Sequence, residues 1–170
     1  MSSTSNRVAI AAVSLFALCA TSLSAAPLRV GVFLDSDSLP LLVADAEGRF
    51  AAEGVDVKLV TFQNPVERDA ALQSGAVDGV VSDLLAAALA AQSGFEVRVT
   101  SLTDGRYGIA TAPGSGIASA KAVAGQPIGI SMNSIIQYAA DSLLTEAGVP
   151  SSEIKAVAVP KMPVRLELLM

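Results

Sequence analysis

Short apolar runs alternate along the chain with stretches whose apolar residues recur at helical spacing. Residues 28–34 (LRVGVFL) form the first apolar run, which is rich in valine and typical of a buried strand. A polar turn follows, and Pro40 then stands where helices favour proline, inside the first turn. Apolar residues spaced four apart predict one helix from Leu39 to a glycine cap at Gly54. The first unit is therefore predicted to be a strand, a polar turn and a helix.

The same alternation continues to the end of the chain. It predicts further strands at 55–62, 77–81, 95–102, 107–112, 127–131 and 154–159. It predicts further helices at 65–74, 82–94, 119–123 and 135–147, with a last one beginning near Pro163. Alternating strands and helices with short connections are typical of parallel sheets that carry helices on both faces. The glycine-rich break at 113–116 predicts two such sheets, in a first lobe at 26–112 and a second at 113–170.

Composition removes several classes of function. The chain has 170 residues, is 52% hydrophobic and carries a net charge of -5, so it can bury a core but has no basic surface for nucleic acid. It contains no histidine, which is the commonest general base and nitrogen ligand of metals. Acidic residues are scattered rather than clustered, and no nucleophile stands beside a base. We expect no catalysis, no metal and no cofactor.

The first 25 residues have the pattern of a secretory signal peptide. Arg7 precedes an uncharged apolar centre at 8–20, which is short for a membrane span and ends in small residues. We predict cleavage after Ala25; the alternative is a retained membrane anchor. Lipid attachment at Cys19, the single cysteine, is disfavoured because Leu18 is bulky. The cleaved chain would have no cysteine and would depend on its core alone in an oxidising compartment.

Polar side chains follow the predicted strands, at the turns that lead into helices. Parallel strands bring such turns to one edge of a sheet, where ligands of open α/β folds bind. The candidate ligand-binding residues are Asp35, Ser36, Asp37, Ser38, Gln63, Asn64, Ser82 and Asp83 in the first lobe, Ser131, Asn133 and Ser134 in the second, and Tyr107 as an aromatic face. For any one of them helix capping is the simpler role, above all for Ser38, Asn64 and Asp83.

The charge of these turns indicates the kind of ligand. Three carboxylates, at Asp35, Asp37 and Asp83, are predicted to face the first-lobe side of the cleft, and no lysine or arginine lies in those turns. An anion would be repelled unless Arg106, or protein beyond this chain, supplied a cation. The sequence therefore favours a neutral or cationic organic ligand.

Three stretches of the chain, 38–62, 71–83 and 127–149, resemble the SsuA/THI5-like (NMT1-like) substrate-binding proteins of bacterial ABC importers. The resemblance extends over residues 28–170, and its motifs include G-R-F-A-A-E-G-V-D-V and Q-S-G-A-V-D. It implies a type II periplasmic binding fold of two α/β lobes that close on a ligand, a periplasmic location, and a permease as partner. Such proteins are about twice this long, so we expect an incomplete second lobe.

The resemblance and the residues together predict a solute-binding protein for an ABC importer. A pyrimidine of the thiamine-precursor kind is one ligand that the family resemblance allows. The alternatives are an anion of the sulfonate, nitrate or taurine type, and a sensing module that signals to a membrane receptor. Contact with the membrane is expected only through the permease or an N-terminal anchor.

Overall fold

The structure, a computed structural model, describes residues 26–170. The predicted signal peptide at 1–25 and its Cys19 lie outside the described residues. Within the described part, no helix is both long and apolar enough to cross a membrane.

A three-stranded parallel sheet forms the first lobe. Strand β1 (Leu28–Val32) lies in the centre, between β2 (Val57–Thr61) and β3 (Gly79–Val80). In this register Val30 is opposite Leu59 on one side and Gly79 on the other. Because all three strands run the same way, the turns that follow them lie at the same edge of the sheet.

Four helices belong to this lobe: three lie in the connections between the strands, and the fourth follows β3. They are α1 (Leu39–Ala46), α2 (Arg49–Ala52), α3 (Pro65–Gln73) and α4 (Leu84–Gln92). The single helix predicted from Leu39 to Gly54 is wrong, since Gly48 interrupts it. Gly48 has a φ of 66° in the left-handed region, which ends α1 and precedes a separate short helix. An apolar spacing that continues across the glycine did not reveal this break.

The second lobe contains a two-stranded parallel sheet. Strands β4 (Pro127–Ile130) and β5 (Lys155–Ala158) pair directly, with α5 (Ile135–Glu146) between them in sequence and α6 (Met162–Leu169) after them. The helix predicted at 119–123 is a 3-10 turn at Ala120–Val123, and a second such turn lies at Ser151–Glu153. The second-lobe core is built on the buried side chains Val123, Leu144 and Val149.

Two of the predicted strands are wrong. Residues 95–102 and 107–112 form no strand, although their apolar composition suits one. A strand needs a neighbour to satisfy its backbone N–H and C=O groups, and none of the described strands pairs with either segment. Ile109 instead packs beside the second-lobe core. The remaining elements agree with prediction to within a few residues at each end.

Gly31, near the end of β1, permits close packing between the sheet and its neighbours. A Cβ at this position would lie 2.8 Å from Phe62 Cε2 and 2.9 Å from Val80 Cγ1. Gly129 occupies the corresponding place in β4, where the nearest atom to a Cβ would be Val159 Cγ2 at 3.5 Å. The two glycines therefore differ in what surrounds them, although their strands, VGV and IGI, look alike in sequence.

Substituting these two glycines should have opposite results. Gly31→Ala forces Phe62 and Val80 to move and should destabilise the chain by about 1–3 kcal/mol, as overpacking does. Gly129→Ala has room for the added methyl group. It should be neutral or stabilise the chain by up to about 1 kcal/mol, because alanine lowers the conformational entropy of the unfolded chain. Urea unfolding followed by circular dichroism measures both; equal effects would contradict the packing described.

An ion pair joins the starts of β1 and β3, at the opposite edge from the turns described above. Arg29 Nη2 lies 2.8 Å from Asp78 Oδ1, and Arg29 N and Nε donate to Asp78 Oδ2 at 2.8 and 3.0 Å. The side-chain and backbone hydrogen bonds from Arg29 lower the pKa of Asp78 to about 2. Both partners remain solvent-accessible.

This pair should make the chain lose stability at acid pH. Because the pKa of Asp78 is lower in the folded than in the unfolded chain, its contribution is complete above the unfolded value. The contribution disappears as the pH falls from about 4, the ordinary value for aspartate, through the folded value. Asp78→Asn should flatten the dependence of the urea midpoint on pH in this range, and Arg29→Gln should do the same. An unchanged slope in both variants would contradict the prediction.

Candidate functional site

The candidate site begins at the carboxyl edge of the first sheet. The turns after β1, β2 and β3 lie together there because the pairing is parallel. Ser36, Gln63 and Ser82 are exposed at this edge, whereas Asp35 and Asp37 are partly buried. Whether these side chains bind a ligand stays a prediction; their placement does not depend on one.

Ser38 and Asp35 hold the first turn in shape. Ser38 is 0% exposed, and its Oγ accepts a hydrogen bond from Phe33 N at 3.1 Å. Asp35 Oδ1 in turn accepts from Ser38 N at 2.9 Å. Ser38 is the residue that precedes α1 but makes no side-chain cap, so the capping role predicted for it is wrong. A fully buried hydroxyl is not accessible to a ligand in this conformation.

Asn64 and Asp83 cap the two helices that follow them, as predicted. Asn64 Oδ1 accepts from Glu67 N at 3.0 Å, and Asp83 Oδ1 accepts from Ala86 N at 2.8 Å. Each bond satisfies one of the free N–H groups of a helix N-terminus. Asn64 is only 5% exposed, which leaves little of it for a ligand.

Arg68 is a residue of this site that the sequence analysis missed. Its guanidinium donates to Asp83 Oδ2 at 3.1 Å and to Asp69 Oδ1 at 2.8 Å, and it lies 5.1 Å from the centre of the Phe33 ring. Arg68 is 2% exposed. Arg68 lies four residues after the cap Asn64. Because helical side chains point back toward the N-terminus, this spacing was the sequence signal that could have placed its guanidinium near the site. One of the three predicted carboxylates, Asp83, is therefore already paired.

Tyr107 and Asp37 meet at the same edge. Gly105 lies so close to Asp37 that any Cβ there would collide with its carboxylate. Tyr107 follows two residues later and is half-exposed. Burial is the main cause that raises the pKa of Tyr107, and the negative charges of Asp83, Asp37 and Asp35 add to it. Its hydroxyl therefore stays protonated and can donate a hydrogen bond at neutral pH.

The second-lobe turn places its three predicted residues in different environments. Ser131 is 1% exposed, and its Oγ donates to Pro160 O at 2.9 Å. Ser134 caps α5 through Ile136 N at 3.2 Å, and its own hydroxyl donates to Ser131 O. Asn133 is exposed and has a φ of 55°, the one positive value outside glycine among the described residues. Asparagine tolerates this conformation, and its N donates to Gln137 Oε1 at 2.8 Å.

A contact between the lobes brings the two edges together. Met162 N, at the start of α6, donates to Gln63 O at 3.2 Å in the turn after β2. Beside it lies an open cavity of about 670 Å³, whose wall is mainly apolar and includes Ile109, Ile130 and Leu166. Of the twelve predicted site residues only Tyr107 lines this cavity, together with the unpredicted Arg165.

A model of the NMT1/THI5-like family matches residues 35–169. The chain belongs to this family. The search among curated proteins found no match. Among solved structures, the chain resembles the alkanesulfonate-binding protein SsuA from Xanthomonas axonopodis pv. citri bound to MOPS. The TM-score is 0.54 and the sequence identity is 19%.

This likeness shows the fold of the NMT1/THI5-like chain, which is the predicted type II periplasmic binding fold with parallel sheets in two lobes. The match covers 83% of this chain but 50% of the SsuA chain. The chain therefore spans about half the length of that structure. Within residues 26–170 no group of three or more acidic or cysteine side chains is placed to hold a metal ion.

Removing the cation of the buried pair should strongly destabilise the protein. Arg68→Met leaves Asp83 charged and largely buried without its cationic partner, which should cost about 3 kcal/mol or more. Arg49→Met is the matched control, because Arg49 pairs with Glu47 at the surface and should change stability by less than about 0.5 kcal/mol. Adding Asp83→Asn to Arg68→Met removes the unpaired charge but keeps an oxygen for the cap of α4, so it should recover part of the loss in urea unfolding. A double variant that is less stable than Arg68→Met would argue against the pair.

Proposed function

We propose that this chain is part of an extracytoplasmic solute-binding protein that captures a small organic ligand and delivers it to an ABC importer. Family membership supports the class of protein, and the two lobes support binding in a cleft. In this proposal the N-terminal signal peptide directs the protein to the periplasm, and a permease is the macromolecular partner. No catalytic step is part of it.

The observation that carries the ligand proposal is the uncompensated charge of the first-lobe edge. Arg68 is paired with Asp83 and Asp69, and it is buried. Asp35 and Asp37 make no salt bridge among the described residues, and Tyr107 lies beside them with a protonated hydroxyl. Two carboxylates next to an aromatic ring attract an amine or another hydrogen-bond donor and repel an anion. A neutral or cationic compound, such as an aminopyrimidine, suits this edge.

Lobe closure would be the working motion. In the proposal the lobes are 26–112 and 113–170, and they move about residues 110–114. The hydrogen bond from Met162 N to Gln63 O lies between the two edges, where a ligand would contact both. A ligand shifts the balance between open and closed states only as far as it binds the closed state more tightly.

Calorimetry with an aminopyrimidine and an alkanesulfonate tests the ligand proposal. We expect the aminopyrimidine to bind and the plain alkanesulfonate to bind weakly or not at all, because Asp35 and Asp37 repel it. Asp37→Asn keeps the shape and removes one charge, so the affinity for the aminopyrimidine should fall about tenfold or more. Asp56→Asn is the control, since Asp56 lies at the start of β2, at the other edge of the sheet.

Two outcomes would overturn this proposal. One is tight binding of the alkanesulfonate with none of the aminopyrimidine. The other is an equal loss of affinity in Asp37→Asn and Asp56→Asn, which would place the ligand away from the first-lobe edge.

A further inference from the structure

The two lobes repeat one structural unit, and an arginine holds the same place in each. Arg68 is the fourth residue of α3, the helix after β2, and Arg165 is the fourth residue of α6, the helix after β5. Each of these strands pairs in parallel with the first strand of its lobe. Arg68 lies over Phe33, the residue that follows β1, and Arg165 bonds to Ser131, the residue that follows β4. The two arginines therefore occupy equivalent places in the order of strands and helices of the two lobes.

The two arginines differ in their partners. Arg68 has two carboxylates within salt-bridge distance and is almost fully buried. Arg165 has no carboxylate within that distance among the described residues. Its Nη1 donates to Ser131 Oγ at 2.7 Å and to Val159 O at 2.9 Å. These partners are neutral, so the charge of Arg165 is left uncompensated in the described chain.

Most of the donors of Arg165 are also free. A guanidinium has five N–H groups, and every hydrogen bond that Arg165 makes to the described residues comes from Nη1. The N–H groups of Nε and of the second terminal nitrogen, Nη2, donate to none of the described residues. Burial lowers the pKa of Arg165, yet arginine remains protonated at any physiological pH. Its bonds to Ser131 and Val159 fix one side of the group and leave the other available for a planar anion.

Arg165 also lies where a ligand of the proposed site would reach it. It lines the same cavity as Tyr107, which stands among the carboxylates of the first-lobe edge. The second-lobe turns at 131–134 and 159–163 contain no acidic residue, and they include Lys161. The cavity lining therefore contains the positive charge of Arg165 and no carboxylate, and Tyr107 connects it to the carboxylates of the first-lobe edge.

We propose that Arg165 determines specificity by binding an anionic group on the ligand, while Asp35 and Asp37 bind its amine or cationic end. This rests on the proposed function and deepens it, because it gives the ligand both a donor end and an anionic end. The anion approaches from the second-lobe side and so avoids the carboxylates that would repel a plain anion. Bidentate geometry suits a carboxylate or a sulfonate.

Two pyrimidine probes of nearly the same shape, one anionic and one neutral, measure what the negative charge of the ligand contributes to binding. The probes are 4-aminopyrimidine-5-carboxylate and the neutral 4-aminopyrimidine-5-carboxamide, titrated into the chain by calorimetry. We expect the carboxylate to bind at least tenfold more tightly than the carboxamide. In Arg165→Gln this ratio should fall to about one, because the carboxylate loses far more affinity than the carboxamide does. Arg98→Gln is the control, because Arg98 lies outside the cavity lining, and it should keep the wild-type ratio.

The possible failures are distinguishable. If the carboxamide binds as tightly as the carboxylate, the inference is overturned and the proposed function stands. If neither probe nor the unsubstituted aminopyrimidine binds, both are overturned. If Arg165→Gln lowers the melting temperature but keeps the wild-type ratio, Arg165 has a structural role like that of Arg68, and the inference is again overturned.

Discussion

The buried guanidinium of Arg68 is the interaction on which the first lobe depends. It joins the helix after β2 to the cap of the helix after β3, and it lies over the ring that follows β1. Three elements that are distant in sequence meet at one charged group. Burying an arginine is costly unless its hydrogen bonds are satisfied, so the carboxylates of Asp69 and Asp83 are part of the same arrangement.

This pair also determines the electrostatics of the candidate site. Asp83 accepts hydrogen bonds from Arg68 and from the first turn of α4, so it is not the free carboxylate that its position in a turn suggested. The carboxylates that remain without a salt bridge at this edge, among the described residues, are Asp35 and Asp37, beside Tyr107. The lobe thus keeps a negative edge although it contains a central cation, because that cation is neutralised from within.

Equivalent residues of the two lobes have different surroundings. Both sheets have a glycine before the last residue of the first strand, and both have an arginine at the fourth position of the helix after the second strand. Gly31 is enclosed by Phe62 and Val80, whereas Gly129 has space around it. Arg68 is enclosed by carboxylates, whereas Arg165 contacts neutral oxygens. The third strand of the first lobe, β3, contributes to both differences, because Val80 belongs to it and Asp83 follows it.

The sequence by itself determined the order of strands and helices, the parallel class of the sheets, the family, and the helix caps at Asn64 and Asp83. These follow from local patterns, since apolar periodicity and cap residues act within a few positions of the chain. Only the tertiary structure decided which polar groups are free. It buried Ser38 and Ser131, paired Asp83 with Arg68, and left residues 95–102 without a strand to join. Such outcomes depend on contacts between residues far apart in sequence, and no local pattern records them.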